Sequence, residues 1–169
     1  LANSFKRNYF SIMPCNLFGE RDNFDLETSH VIPALLQKFH NAKLDNKNKI
    51  TIWGSGKAKR EFMHVDDLAD ASVYLMNCKH QERIINVGTS KDITISELVC
   101  NIAEIVGYDG IISYDPKMKE GTMRKVLNTE ILNNLGWSPN RDFITELKLL
   151  YNCIKNTKKI ELDIGSHEK

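Results

Sequence analysis

Short apolar runs alternate along this chain with segments whose apolar residues recur every three or four positions. Interleaved strand and helix periods of this kind restrict the chain to an α/β architecture. Phe10 to Gly19 reads as one buried strand running into a loop, and the polar stretch from Glu20 to Ser29 reads as surface. Ser29 is placed to cap a helix carrying Ile32, Leu35, Leu36 and Phe39 on one face, with Pro33 in its first turn. Ile50 to Trp53 predicts a short strand stopped by Gly54-Ser55-Gly56. A helix is expected from Asp66 or Asp67, with Leu68, Ala71, Leu75 and Met76 along one side, and a strand at Ile84 to Val87. Thr94-Ile95-Ser96-Glu97 has the form of a capping box before Leu98, Ile102, Ile105 and Val106, with Gly107 suited to the left-handed stop. Ile111 to Tyr114 predicts a further strand. Thr129 to Leu135 and the row Ile144, Leu147, Leu150, Ile154 predict the last two helices, followed by a polar tail.

Composition narrows the function classes. The 169 residues suggest about one domain. A net charge of +1 gives no electrostatic reason to expect nucleic acid or an anionic membrane as partner. No apolar run approaches the roughly 18 residues of a membrane span. The four cysteines (Cys15, Cys78, Cys100, Cys153) are scattered without a Cys-x-x-Cys pair, so no metal site is expected and buried thiols in a reducing, cytoplasmic setting are. The chain opens on Leu1 in mid-pattern, and the expectation is that it is part of a longer protein.

Gly54-Ser55-Gly56-Lys57 invites a phosphate-loop reading that its neighbours refuse. A Walker A loop needs Gly where Thr51 stands and Ser or Thr where Ala58 stands, and the dinucleotide fingerprint needs Gly at Lys59. A tight turn after a strand remains. Asp66 and Asp67 read as helix-start carboxylates complementing the dipole rather than as metal ligands. His30, at the mouth of a helix, reads on its own as a surface or capping residue.

Several segments taken in order carry a resemblance. They are Pro14-Cys15-Asn16-Leu17-Phe18-Gly19, Asp22-Asn23-Phe24, Ser29-His30-Val31-Ile32-Pro33-Ala34-Leu35-Leu36, Trp53-Gly54-Ser55-Gly56 and Arg60-Glu61-Phe62-Met63-His64-Val65-Asp66-Asp67. Ile85-Asn86-Val87-Gly88, Gly121-Thr122, Arg124-Lys125 and Leu135-Gly136-Trp137 continue it to about Lys155. Together they resemble the GDP-L-fucose synthases within the extended short-chain dehydrogenase/reductases. The Arg-Glu-Phe-x-His-Val-x-Asp and Asn-Val-Gly segments are common to that wider superfamily. The Asn-Phe loop leading to Ser-His-Val-Ile-Pro-Ala-Leu, with Trp-Gly-Ser-Gly beyond it, is narrower.

The resemblance implies a C-terminal portion of such an enzyme, with the last Rossmann elements and a small α/β substrate domain. Residues 1–24 would end the NADP-binding domain, 25–155 would form mainly the GDP-sugar domain, and 156–169 a tail. The implied reaction is 3,5-epimerisation and NADPH-dependent 4-reduction of GDP-4-keto-6-deoxy-D-mannose to GDP-L-fucose, by a homodimer when full length. His30 matches the family's acid/base, a role its near-neutral reference pKa suits. Pro14, Cys15, Asn16, Leu17 and His30 match positions along the NADP(H) cofactor, with Cys15 where the family commonly has Thr. Lys38, Trp53, Arg60 and Glu120 match substrate-binding positions, Lys38 standing where Arg is frequent and Glu120 where Asp is. The family's partner Cys, its Gly-rich turn, its Ser and its Tyr-x-x-x-Lys pair are expected in a part preceding Leu1, so residues 1–169 alone are expected to be inactive. Two alternatives stay open: another nucleotide-sugar epimerase or dehydratase, and a non-catalytic sugar-nucleotide-binding module.

Overall fold

The computed structural model describes residues 9–25, 28–118 and 120–156, so most of the expected tail lies outside the described residues. Strand β1 (Ser11–Pro14) runs parallel to β5 (Ile84–Val87). The Ser11 and Cys15 N–H groups donate to the Arg83 and Val87 carbonyls at 2.9 and 3.0 Å, so the odd-numbered residues face β5 and Pro14, which has no N–H, faces the other edge. The chain then crosses to a second sheet as β2 (Asn16–Phe18), parallel to β4 (Lys59–His64). The single strand expected over residues 10–19 is therefore two strands in two sheets.

β4 is the hub of the second sheet. Its first half pairs antiparallel with β6 (Asp92–Thr94) and parallel with β8 (Arg124–Lys125), and its second half pairs with β2. Its middle residues, Glu61, Phe62 and Met63, are all buried, the pattern of a strand covered on both faces. By contrast β3 (Lys49–Trp53), parallel to β7 (Ile111–Asp115), alternates strictly. Ile50 and Ile52 enter the core while Lys49, Thr51 and Trp53 face outward.

Five helices among the described residues cover these sheets: α1 (Val31–Leu44), α2 (Val65–Asn77), α3 (Ile95–Val106), α4 (Glu130–Asn134) and α5 (Phe143–Ile154). The capping box of α3 forms as expected, with Thr94 Oγ1 accepting the Glu97 N–H and the Glu97 carboxylate accepting the Thr94 N–H at 2.7 Å; Gly107 closes it at φ +71°. Lys43 of α1 donates to the Val106 carbonyl at 2.6 Å, tying the two helices where the α3 dipole is negative.

Two expected helix starts shift. The cap of α1 is His30, not Ser29, because the first helical bond runs from the Ala34 N–H to the His30 carbonyl, while Ser29 belongs to the preceding turn through its N–H on the Asp25 carbonyl. Helix α2 begins at Val65 and is capped by the His64 ring, whose Nδ1 accepts from the Asp66 N–H at 3.3 Å. Asp66 and Asp67 lie in its first turn facing Arg141, at 3.3 and 3.7 Å.

Two apolar clusters result. Leu36, Phe39, Ile102 and Leu147 lie among the first, between α1, α3 and α5. Met63, Leu75, Ile85 and Leu132 lie among the second, beside β1 and β5. Among the described residues no helix is long and apolar enough to cross a membrane.

Candidate active site

The outward face of β3 and one side of α1 form opposite parts of a groove of about 1480 Å³, open to solvent. The alternation of β3 puts Lys49, Thr51 and Trp53 on this surface, and the helical repeat brings Lys38 and Asn41 to it one turn apart. β2 contributes Asn16 to Phe18 to the lining, the start of α1 contributes His30, and Arg60 and Glu120 also line the groove. Every site residue expected from the sequence is on this groove except Pro14, which is exposed at the end of β1.

His30 holds α1 through its backbone, with its carbonyl accepting the Ala34 N–H at 3.0 Å, and its side chain makes no cap bond. The exposed imidazole is thus not committed to the helix it starts. Next to it, the buried Ser29 hydroxyl has no partner among the described residues.

Lys38 reaches across to β3. Its Nζ donates to the Thr51 carbonyl at 2.6 Å and stands 6.0 Å from the centre of the Trp53 ring. Burial of the ammonium lowers its pKa below the usual lysine value. Trp53 is 65% exposed, so its ring is not core packing.

Arg60 gives Nη1 to the Lys59 carbonyl at 2.8 Å and Nη2 to the Glu120 carbonyl at 3.5 Å. Among the described residues no carboxylate pairs with it. A guanidinium left without a counter-anion on a groove wall suits a phosphate-bearing ligand. The Glu120 carboxylate is turned instead toward the Gly54–Ala58 turn. Its Oε1 accepts from the Ser55 hydroxyl at 2.6 Å, the Ser55 N–H at 3.2 Å and the Ala58 N–H at 3.4 Å. These bonds, led by the Ser55 hydroxyl, hold it below the usual carboxylate range.

The β2 end is chemically quiet. Burial, reinforced by Glu61, pushes the Cys15 thiol up to about 12, so it is no thiolate at neutral pH. The Asn16 side chain is spent on the Glu61 carbonyl at 2.7 Å. What β2 offers the groove is the backbone of its outer edge, which no strand covers among the described residues.

One pair has the Tyr-x-x-x-Lys spacing that the sequence reading expected only upstream: Tyr151 and Lys155. It is no catalytic pair. The Tyr151 hydroxyl is buried against His40 Nδ1 at 3.2 Å, Lys155 Nζ bonds Asn152 at 2.9 Å, and neither residue reaches the groove. Sequence reasoning missed Ser55 as a partner of Glu120; the serine in a strand-terminating Gly-Ser-Gly turn was its available signal. No group of three His, Cys, Asp or Glu side chains among the described residues is arranged to hold a metal.

The family model of the NAD dependent epimerase/dehydratase family matches residues 1–88. A GDP-L-fucose synthase of Escherichia coli K12 is 46% identical over 142 residues, covering 79% of this chain and 44% of that protein. A putative GDP-L-fucose synthase 2 of Arabidopsis thaliana is 46% identical over 127 residues, covering 75% and 39%. Among solved structures, a GDP-D-glycero-L-gluco-heptose synthase of Campylobacter jejuni, determined in the presence of NADPH, superposes with a TM-score of 0.80 at 29% identity, covering 92% of this chain and 55% of that one. The chain spans less than half the length of the two curated relatives.

Proposed function

The chain belongs to the NAD dependent epimerase/dehydratase family, and we propose that it is the C-terminal, sugar-nucleotide-holding part of a GDP-L-fucose synthase. The observation that carries this reading is the convergence of His30, Lys38, Trp53 and Arg60 on one groove. In the proposed reaction the protons at C3 and C5 of the 4-keto-sugar are acidified by the neighbouring ketone. An imidazole at His30 exchanges them near neutral pH. Arg60 meets diphosphate oxygens with paired N–H groups, and Lys38 with Trp53 supplies a cation and a ring for the nucleotide.

The residues fit one side of an NADP(H) site: the uncovered edge of β2 supplies backbone groups and His30 lines the same groove. When bound, the cofactor supplies the hydride for reduction at C4. Cys15 and Asn16 contribute by fixing that edge, since their side chains are buried or already bonded. Two separate apolar clusters support a division into two parts with a different boundary: Phe18 and Phe24 pack with α1, α3 and α5, while Met63, Leu75, Ile85 and Leu132 return to the β1–β5 sheet. The outer edge of β1, flanked by the exposed Met13, is where the remaining cofactor domain would continue the sheet. The resemblance extends this reading to an isomerase as well as a reductase, working as a cytoplasmic homodimer.

Nucleotide preference tests the proposal. Calorimetric titration of the full-length protein with GDP, UDP and dTDP is expected to show tight binding of GDP alone. Preference for UDP or dTDP would assign the chain to a different sugar-nucleotide enzyme of the family.

A further inference from the structure

The carboxylate of Glu120 is directed into the protein, toward the turn that ends β3. Its Oε1 gathers the hydroxyl and N–H of Ser55 and the N–H of Ala58, so the carboxylate occupies a small cradle of donors made by the turn that ends β3. Gly54, at φ +81°, makes the approach possible: a Cβ there would lie 3.1 Å from Glu120 Cγ, in a conformation that disfavours any side chain. The Glu120 backbone carbonyl meanwhile accepts from Arg60 Nη2 at 3.5 Å. One residue therefore joins the turn after Trp53 to the guanidinium of Arg60 across 60 residues of chain.

We infer that Glu120 is a positioning residue: its carboxylate clasps the Gly54–Ala58 turn so that its own carbonyl and the backbone around it hold Arg60 in the pose that receives a nucleoside diphosphate, without touching the sugar. This rests on the proposed GDP-sugar reading and assigns Glu120 a role through Arg60 rather than a direct substrate contact. A positioning role makes Ser55 its working partner. It also places the effect on the diphosphate, which GDP and GDP-sugars share.

The test compares GDP with a GDP-hexose as titrants of the full-length protein and of its Glu120→Ala, Glu120→Gln and Ser55→Ala variants. Glu120→Ala is expected to weaken both ligands by the same factor, about tenfold for one lost charged hydrogen-bond set, with the KM for NADPH unchanged. Ser55→Ala is expected to reproduce part of that loss. The double variant is expected to be no weaker than Glu120→Ala alone, as coupled partners require. Glu120→Gln, which keeps an acceptor for Ser55, is expected to retain most of the affinity. Weakening of the GDP-hexose alone, with GDP unchanged and Ser55→Ala silent, would overturn the inference in favour of direct sugar contact. Normal GDP binding by all variants would overturn it while leaving the functional reading intact. Absence of GDP binding by the unmodified protein would remove both.

Discussion

The ammonium of Lys38 lies 6.0 Å from the centre of the Trp53 ring, so a helix and a strand separated by the polar turn at residues 45–48 present a cation and an aromatic surface to the same groove. The contact is half-sheltered: Trp53 stays largely exposed while Lys38 is anchored on the Thr51 carbonyl.

Lys38 carries a pH dependence. Its pKa is lowered by burial, so it loses its proton before an ordinary lysine does as pH rises. GDP affinity is expected to begin its alkaline decline below the usual lysine range. Lys38→Arg, whose guanidinium keeps its charge throughout, is expected to abolish that limb. The folded-state pKa lies below the unfolded one, so the buried ammonium costs stability at low pH and this cost disappears as pH rises through the usual lysine range. Titration of GDP binding from neutral to alkaline pH checks the first statement, and an unchanged limb in Lys38→Arg would contradict it.

Cys15 is expected to be chemically silent. With its thiol pushed up to about 12, thiolate forms only in strongly alkaline solution, whereas Cys100 is exposed. Alkylation with iodoacetamide at mildly alkaline pH, read by mass spectrometry, is expected to label Cys100 and spare Cys15. Equal labelling of the two would show that the β1–β2 crossing is open to solvent.

Glu61 is expected to be among the costliest polar side chains to remove. It is 1% exposed, and its two oxygens accept N–H groups from Thr89, Ser90 and Leu127. Glu61→Ala removes the shared acceptor of three backbone donors in part-buried bonds, at up to about 1–3 kcal/mol for each. Chemical denaturation of Glu61→Ala is expected to show a loss of several kcal/mol, and a change below about 1 kcal/mol would contradict the geometry.

Much of this was legible in the residues. Helix α3 was readable at both ends because its capping box and closing glycine are local chemistry. The strict alternation of β3 was equally local. β4 was not readable as a strand: Lys59 to His64 mixes charged and apolar residues, and Glu61 is buried only because three distant N–H groups await it. The crossing at Cys15 was hidden for a related reason, since residues 10–19 read as one apolar run until β5 and β4 are known to pair with its two halves. In the site, the residue types of His30, Lys38, Trp53 and Arg60 pointed to the groove through family resemblance. The commitment of Glu120 to Ser55 is a contact between residues 65 apart that no spacing rule encodes.

The central claim is that His30 moves protons at the sugar carbons. The direct measurement is solvent deuterium incorporation at C3 and C5 of GDP-4-keto-6-deoxy-D-mannose, followed by NMR with the full-length protein and with His30→Gln. Loss of exchange at both carbons, with NADPH and GDP affinities nearly unchanged, is the expected result. Exchange at the unmodified rate in His30→Gln would contradict the account.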